Sequence, residues 1–488
     1  MNDLRRLDYA QKQSSMVISS FWPVAMAVVF LGLAAFIVST YVATDKTQII
    51  VLTVAAVIGG YMALNIGAND VANNMGPAVG GKVISVTTAV LIAAVFESAG
   101  ALLAGGDVVN TIAKGIITPD PSLSVGRFQA LMLSALLAAA LWINLATILN
   151  APVSTTHSIV GGVLGAGIAA SGFALVNWAM VASMAASWVI SPLLGALIAA
   201  ALLYAIKMLI LNAPDHHKGA KRWMPVIYAL MAGAFTAYMS TKGLKKIITL
   251  NGQEIVALSL ISAVIVFIAV KPWMNARINN IGNKKNDLNK LFDVPLIFGV
   301  ALLSFAHGAN DVANAIGPLA AIVSSFSGEV GSKATIPFWV LAVGAIGISL
   351  GLLLFGPRLI RTVGQKITRL TAARAYCVAL SSAITVLIAS SLGLPVSSTH
   401  IAIGAIFGVG FLREFLENPN KRKIRPGHKL NLTSKDAFAS RKIVTKRRLV
   451  RRNFVYSIAA AWIITVPASA SVAALIYTLY SFAASLIQ

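Results

Sequence analysis

Residues 67–77 read GANDVANNMGP and residues 308–318 read GANDVANAIGP, with nine identities in eleven positions at a separation of 241 residues. A match that dense does not arise by chance, so the chain carries an internal repeat. A second pair follows in the same order. Residues 152–167 read PVSTTHSIVGGVLGAG and residues 395–410 read PVSSTHIAIGAIFGVG, 243 residues apart, with eight of sixteen positions identical, among them Pro, Ser, Thr, His and three Gly. Each half therefore holds the same two elements, the pattern expected of a membrane protein built from two structural repeats around a central site.

Composition decides the solvent in which these repeats fold. Of 488 residues, 57% are hydrophobic and 11% charged, and mean hydropathy is +0.81. Soluble domains carry about 25% charged residues, so this chain has too little polar surface to coat a water-soluble globule. Apolar stretches able to cross a hydrocarbon core of about 30 Å recur at 21–42, 49–66, 84–104, 130–150, 178–206, 224–240, 255–270, 294–307, 335–356, 376–393 and 455–480. Two further apolar segments, 152–171 and 395–412, follow their predecessors without a polar loop. Breaks at Pro152 and Pro395 predict broken or re-entrant helices there, which lipid tolerates only where protein or a water-filled cavity covers the freed backbone groups.

The sequence thus predicts an all-α integral membrane protein with about 11–13 membrane segments and two inverted structural repeats. The expected divisions are a tail and extra span at 1–48, a first transport repeat at 49–171, peripheral spans and a basic linker at 172–293, a second transport repeat at 294–412, a basic cytoplasmic loop at 413–453 and a final span at 454–488.

The net charge of +23 would suggest a nucleic-acid partner in a soluble protein, but here the basic residues sit between apolar stretches. From Arg413 to Arg452 there are 14 of the 39 Lys and Arg, against Glu414, Glu417 and Asp436. Cytoplasmic loops retain Lys and Arg, so the expected partners are membrane lipid and no nucleic acid. The N-terminus and the 413–453 loop are expected in the cytoplasm, with an odd number of crossings and Gln488 outside. The run 21–42 is long for a signal peptide and is read as an uncleaved span. Cys377 stands alone in an apolar stretch and is expected to be a small core residue.

Two kinds of chemistry are repeated. Asn69, Asp70 and Asn73 have their counterparts in Asn310, Asp311 and Asn314, and a helix would bring both amides and the carboxylate of each set to one side. A carboxylate in the membrane costs several kcal/mol unless it faces a cavity, a partner or an ion, so Asp70 and Asp311 are candidate cation or proton sites. Helix capping is the bland alternative. Ser154, Thr155 and Thr156, with Ser397, Ser398 and Thr399, surround expected helix starts, where hydroxyls and unpaired N–H groups can hold an oxyanion without an Arg. Bonding to their own helix backbone is the alternative there. His157, His400 and His307 could move protons or position helix starts. Glu97, inside an apolar stretch, could contact a coupling ion or make a structural hydrogen bond. Gly161, Gly165, Gly404 and Gly408 form small-residue faces suited to close helix packing.

The duplicated GANDVAN, followed in each half by PVS[ST]TH, resembles the inorganic phosphate transporter family, over roughly 50–170 and 294–412 and the stretch GPRLIRTVGQKIT at 356–368. The resemblance implies an inverted-repeat carrier. By position it would place phosphate at Ser154, Thr155, Thr156, Ser397, Ser398 and Thr399 with Asn69 and Asn310 nearby, and a coupling cation at Asp70, Asn73, Asp311 and Asn314, with Glu97 matching an acidic residue of animal sodium-coupled members. Where those members carry a second Glu, this chain has Ala379. A proton or sodium therefore stays open as the coupling ion, and a metal–phosphate complex stays open as the substrate. No catalytic residue, cofactor or metal beyond sodium is expected, and association into a homo-oligomer stays open.

The expected function is import of inorganic phosphate by cation symport through alternating access. A sulfate permease of the same family is the near alternative, since sulfate is also tetrahedral. An intramembrane hydrolase using Ser154 or Ser397 with a His is disfavoured, because a nucleophile needs one base and one oxyanion pocket, whereas this chain repeats the whole set.

Overall fold

The computed structural model describes residues 21–118, 123–149, 151, 153–243, 248, 250–282, 285–326, 336–366, 370–416 and 452–487. The N-terminal tail, Pro152 and most of the basic 413–453 loop lie outside the described residues. Among the described residues no β-strand forms, and one antiparallel bridge joins Ile117 to Val176.

The helices, in chain order, are α1 (Phe21–Val42), α2 (Lys46–Gly80), α3 (Val86–Ala104), α4 (Gly106–Asn110), α5 (Val125–Ile148), α6 (Thr155–Ser171), α7 (Trp178–Ile206) and α8 (His216–Tyr238). They continue with α9 (Gly252–Asn279), α10 (Lys285–Asn289), α11 (Asp293–Phe326), α12 (Phe338–Lys366), α13 (Ala372–Ser391), α14 (Ser398–Leu416) and α15 (Arg452–Ile487). Eleven described helical segments are long and apolar enough to span a bilayer. Their starts are set locally: Asp45, Ser85, Ser124 and Asn177 each accept a hydrogen bond from the backbone N–H three residues on, and Asn251 with Glu254 forms a reciprocal capping box.

Both GANDVAN motifs lie inside long helices, past the middle of α2 and across the middle of α11, rather than after the end of a span. At 35 and 34 residues these helices are about 50 Å long, well beyond the apolar thickness of a bilayer. Both proline motifs follow a break. α5 ends at Ile148 and α6 starts at Thr155, and α13 ends at Ser391 while α14 starts at Ser398. Pro395 therefore sits in a linker three residues before its helix, not in the first helical turn. At 17 residues, α6 is too short to count among the eleven spans.

The central layer is α2, α3, α11 and α12 together with α5 and α13, and it buries both acids of the GANDVAN motifs, leaving Asn73 partly exposed. Backbones touch where glycine removes the Cβ. A Cβ on Gly308 would overlap the Glu97 carbonyl, and one on Gly67 would overlap the Ile348 carbonyl. The four repeated glycines of α6 and α14 act in the same way. Gly161 and Gly165 admit Val466 and Ala470 of α15, while Gly404 and Gly408 admit Pro192 and Ala196 of α7. So α7, which falls in the stretch grouped by sequence as peripheral, packs on α14 in the same manner as α15 packs on α6. Val256, Leu260, Ile261, Val264 and Ile268 are exposed along α9 as lipid-facing residues, while its partner α8 buries Met224, Tyr228 and Tyr238 in the core.

Candidate functional site

The hydroxyls of the second motif are fixed by helix caps. Ser154 accepts from the His157 backbone N–H at 3.2 Å, and Ser397 from His400 N–H at 3.3 Å. These two serines therefore cap α6 and α14, and the residues after them, Thr155, Thr156, Ser398 and Thr399, form the first turns. The two turns meet in the core, where the His157 and His400 rings have centroids 4.7 Å apart. Trp188 of α7 lies against His157 at 3.9 Å and donates its indole N–H to the Pro395 carbonyl at 3.1 Å, which fixes the linker before α14.

A single carboxylate joins the two helix starts. Asp70 accepts from Thr155 Oγ1 at 3.1 Å through one oxygen and from Thr399 Oγ1 at 3.0 Å through the other. Asp311 accepts from Ser398 Oγ at 3.0 Å. The amides cross between halves: Asn73 donates to Thr399 at 2.8 Å, and Asn314 to Thr155 at 3.2 Å and Thr156 at 3.1 Å. Thr156 also donates to the Val396 carbonyl at 2.9 Å. Corresponding residues thus make corresponding bonds, Asp70–Thr155 with Asp311–Ser398 and Asn73–Thr399 with Asn314–Thr156.

Asn69 and Asn310 turn elsewhere. Asn69 donates to Thr147 of α5 at 2.9 Å, and Asn310 donates to Ser390 of α13 at 2.9 Å while accepting from the Val396 backbone N–H at 3.2 Å. Successive residues on a helix diverge by about 100°, so an Asn directly before the Asp cannot face the same point. Both amides tie down the segments that carry the hydroxyl turns. Thr147 and Ser390 share the 243-residue separation of the proline motifs, a signal that was present in the sequence but not used.

His307 lies between the acids. Its Nε2 is 3.0 Å from Asp311 and 3.8 Å from Asp70, and its Nδ1 is 3.2 Å from Glu97. Glu97 also accepts from Asn74 at 2.9 Å, a partner that sequence reading missed. One N–H of a neutral imidazole can serve only one of these carboxylates, so the cluster as a whole needs further protons or cations. Oδ1 of Asp311 and Oδ1 of Asn314 are buried acceptors with no hydrogen-bond donor. Pro77 and Pro318 lack the N–H that would bond the carbonyls of Asn73 and Asn314 four residues earlier, which frees two further acceptors beside the carboxylates. Asp70, His307 and Asp311 can direct ligand atoms to one point, with those atoms within 4.8 Å of one another. Acceptors of this kind suit a cation, and the first-turn N–H groups and hydroxyls beside them suit an anion. Asp70, Asp311, Thr155, Thr156, Ser398 and Thr399 are all at most 2% exposed. Asn73 is the partly exposed member of the cluster.

These features define a polytopic helical membrane protein whose duplicated helix starts and acids share one polar centre. Residues 66–473 match the model of the phosphate transporter family, and the chain belongs to that family. It is 42% identical to a protein of Helicobacter pylori named as a phosphate permease, over 98% of this chain and 99% of that one. It is 35% identical to the chloroplastic inorganic phosphate transporter 2-1 of Arabidopsis thaliana, over 86% of this chain and 70% of that one. A solved structure titled the sodium-dependent phosphate transporter superposes with a TM-score of 0.77 at 35% identity, covering 89% of this chain and 99% of that chain.

Proposed function

We propose that the protein imports inorganic phosphate by symport with sodium or protons, through alternating access of two inverted repeats, in a bacterial inner membrane with its N-terminus in the cytoplasm. The observation that carries this reading is the meeting of two hydroxyl-bearing helix starts on a shared set of buried acids. Phosphate would be held by Thr155, Thr156, Ser398 and Thr399 and the N–H groups of their turns. Ser154 and Ser397 would hold those turns in shape, and Asn69 and Asn310 would anchor the linkers. Asp70, Asn73, Asp311 and Asn314 would take the coupling cation.

The physical reason for symport is charge. Phosphate carries one or two negative charges near neutral pH, and fixed carboxylates beside its site repel it in a low-dielectric core. A cation bound among those acids turns repulsion into attraction, so the anion is held only when the cation is present. The names of the relatives and of the similar structure, which specify phosphate and in one case sodium dependence, support the same reading.

Purified full-length protein in liposomes, assayed for labelled phosphate uptake under separately imposed sodium and proton gradients, tests it. Concentrative uptake driven by one of these gradients, with sulfate a poor competitor, is the expected result. Absence of driven uptake, or equal competition by sulfate, defeats the assignment.

A further inference from the structure

The close backbone contacts of the two halves correspond, and one layer of side chains built on them differs in character between its two copies. Gly67 meets the Ile348 carbonyl as Gly308 meets that of Glu97, and Gly100 meets the Phe305 carbonyl as Gly351 meets that of Leu64. These contacts pair Ile348 with Glu97. The motif alignment pairs Ile66 with His307, each directly before its Gly, and Ala315 with Asn74. Ser98 and Ser349, one residue beyond Glu97 and Ile348, hydrogen-bond to each other at 2.6 Å on the line where the halves meet. One copy of this layer is therefore Ile66, Ile348 and Ala315, and the other is His307, Glu97 and Asn74. All six residues are fully buried.

An apolar layer needs no explanation in the core of a membrane protein. A buried chain of amide, carboxylate and imidazole does, because each polar group is costly there unless partnered. The groups stand in line: Asn74 donates to Glu97 Oε1 at 2.9 Å, while Glu97 Oε2 lies 3.2 Å from His307 Nδ1 and His307 Nε2 lies 3.0 Å from Asp311, two ion-pair contacts that do not have hydrogen-bond geometry. Glu97 touches the site only through the imidazole. From this geometry we infer that Glu97 and Asn74 are positioning residues: they orient His307 against Asp311 and Asp70, and so make the two motif copies unequal partners for the coupling cation. This narrows the role expected for Glu97 from sequence, since it assigns Glu97 to the ring and not to the ion. An acid that orients a site imidazole through its remote nitrogen has the familiar logic of outer-shell support, where loss typically weakens cation affinity about 10–100-fold.

The inference rests on the phosphate-symport reading, and the experiment separates the two. Equilibrium binding of labelled inorganic phosphate to the purified full-length chain is measured against the concentration of sodium or of protons, whichever the liposome assay identifies as coupled. A wild-type chain that binds no phosphate defeats the transport reading. Given wild-type binding, Glu97→Gln is expected to raise the cation concentration for half-maximal phosphate binding by about tenfold or more. Asn74→Ala should shift it in the same direction, and Ala is tolerated because Ala315 fills the matching place. In a His307→Gln background, Glu97→Gln should add nothing, as expected for residues acting in series. An undiminished Glu97→Gln effect in that background would mark direct ion contact and overturn the proposal. So would an Asn74→Ala chain with unchanged cation dependence, a result readable even where the His307 variant does not fold.

Discussion

At the scale of single residues, the site divides into groups that touch the centre and groups that hold those groups. Thr155 and Thr399 each give one hydroxyl to Asp70, and in the transport reading they exchange that partner for phosphate. Thr155→Val and Thr399→Val keep the side-chain shape and remove one donor each. A hydrogen bond to a charged group contributes about 1.5–3 kcal/mol, so each change should raise the KM for phosphate by roughly 10–100-fold, measured by uptake in liposomes. Asp70→Asn and Asp311→Asn should abolish gradient-driven uptake while leaving folded protein in the membrane, checked by uptake alongside monodispersity in detergent; normal concentrative uptake in either variant would remove the cation assignment. The two acids were legible from sequence because a charge in an apolar run demands a reason. The divergence of Asn69 and Asn310 was not, because only helix rotation and the positions of Thr147 and Ser390 reveal which way each amide turns.

At the scale of elements, close packing and caps set the geometry. Gly308 meets the Glu97 backbone where a Cβ has no room, so Gly308→Ala must force α11 away from α3. We expect a loss of about 1–3 kcal/mol or more, seen as a lower melting temperature of the purified protein. Gly32→Ala in α1, where a Cβ meets nothing within 4 Å, is the matched control and should leave melting unchanged. The break between α5 and α6 could be anticipated from the proline motif, since apolar sequence that stops and restarts without a polar loop reads as a broken helix. The α7–α14 pairing could not, because the glycines of α14 show only that some backbone comes close, and which helix supplies it is decided by tertiary folding.

At the scale of the whole molecule, the proposed orientation rests on charge. Cysteine labelling can test it against a low background, because Cys377 is buried in α13. On a Cys377→Ala chain, a cysteine introduced at Lys429 should react with a membrane-impermeant maleimide only after permeabilisation. One introduced at Ser485, exposed near the end of α15, should react in intact cells. The opposite pattern would invert the assigned topology. Most of the architecture was readable from the repeat itself, since two motif pairs in the same order imply two similar halves. The layer that is polar in only one of its two copies was hidden, because it draws single residues from three helices of both halves that no local pattern connects.

The contact between Ser98 and Ser349 carries a last consequence. Equivalent atoms of two interchangeable units meet only on the axis that exchanges them, and a point on that axis stays in place when the units trade shapes. In the transport scheme proposed above, a spectroscopic label pair at these serines should report one constant separation whichever side of the membrane the carrier faces, giving an internal ruler against which the displacement of every other pair can be read.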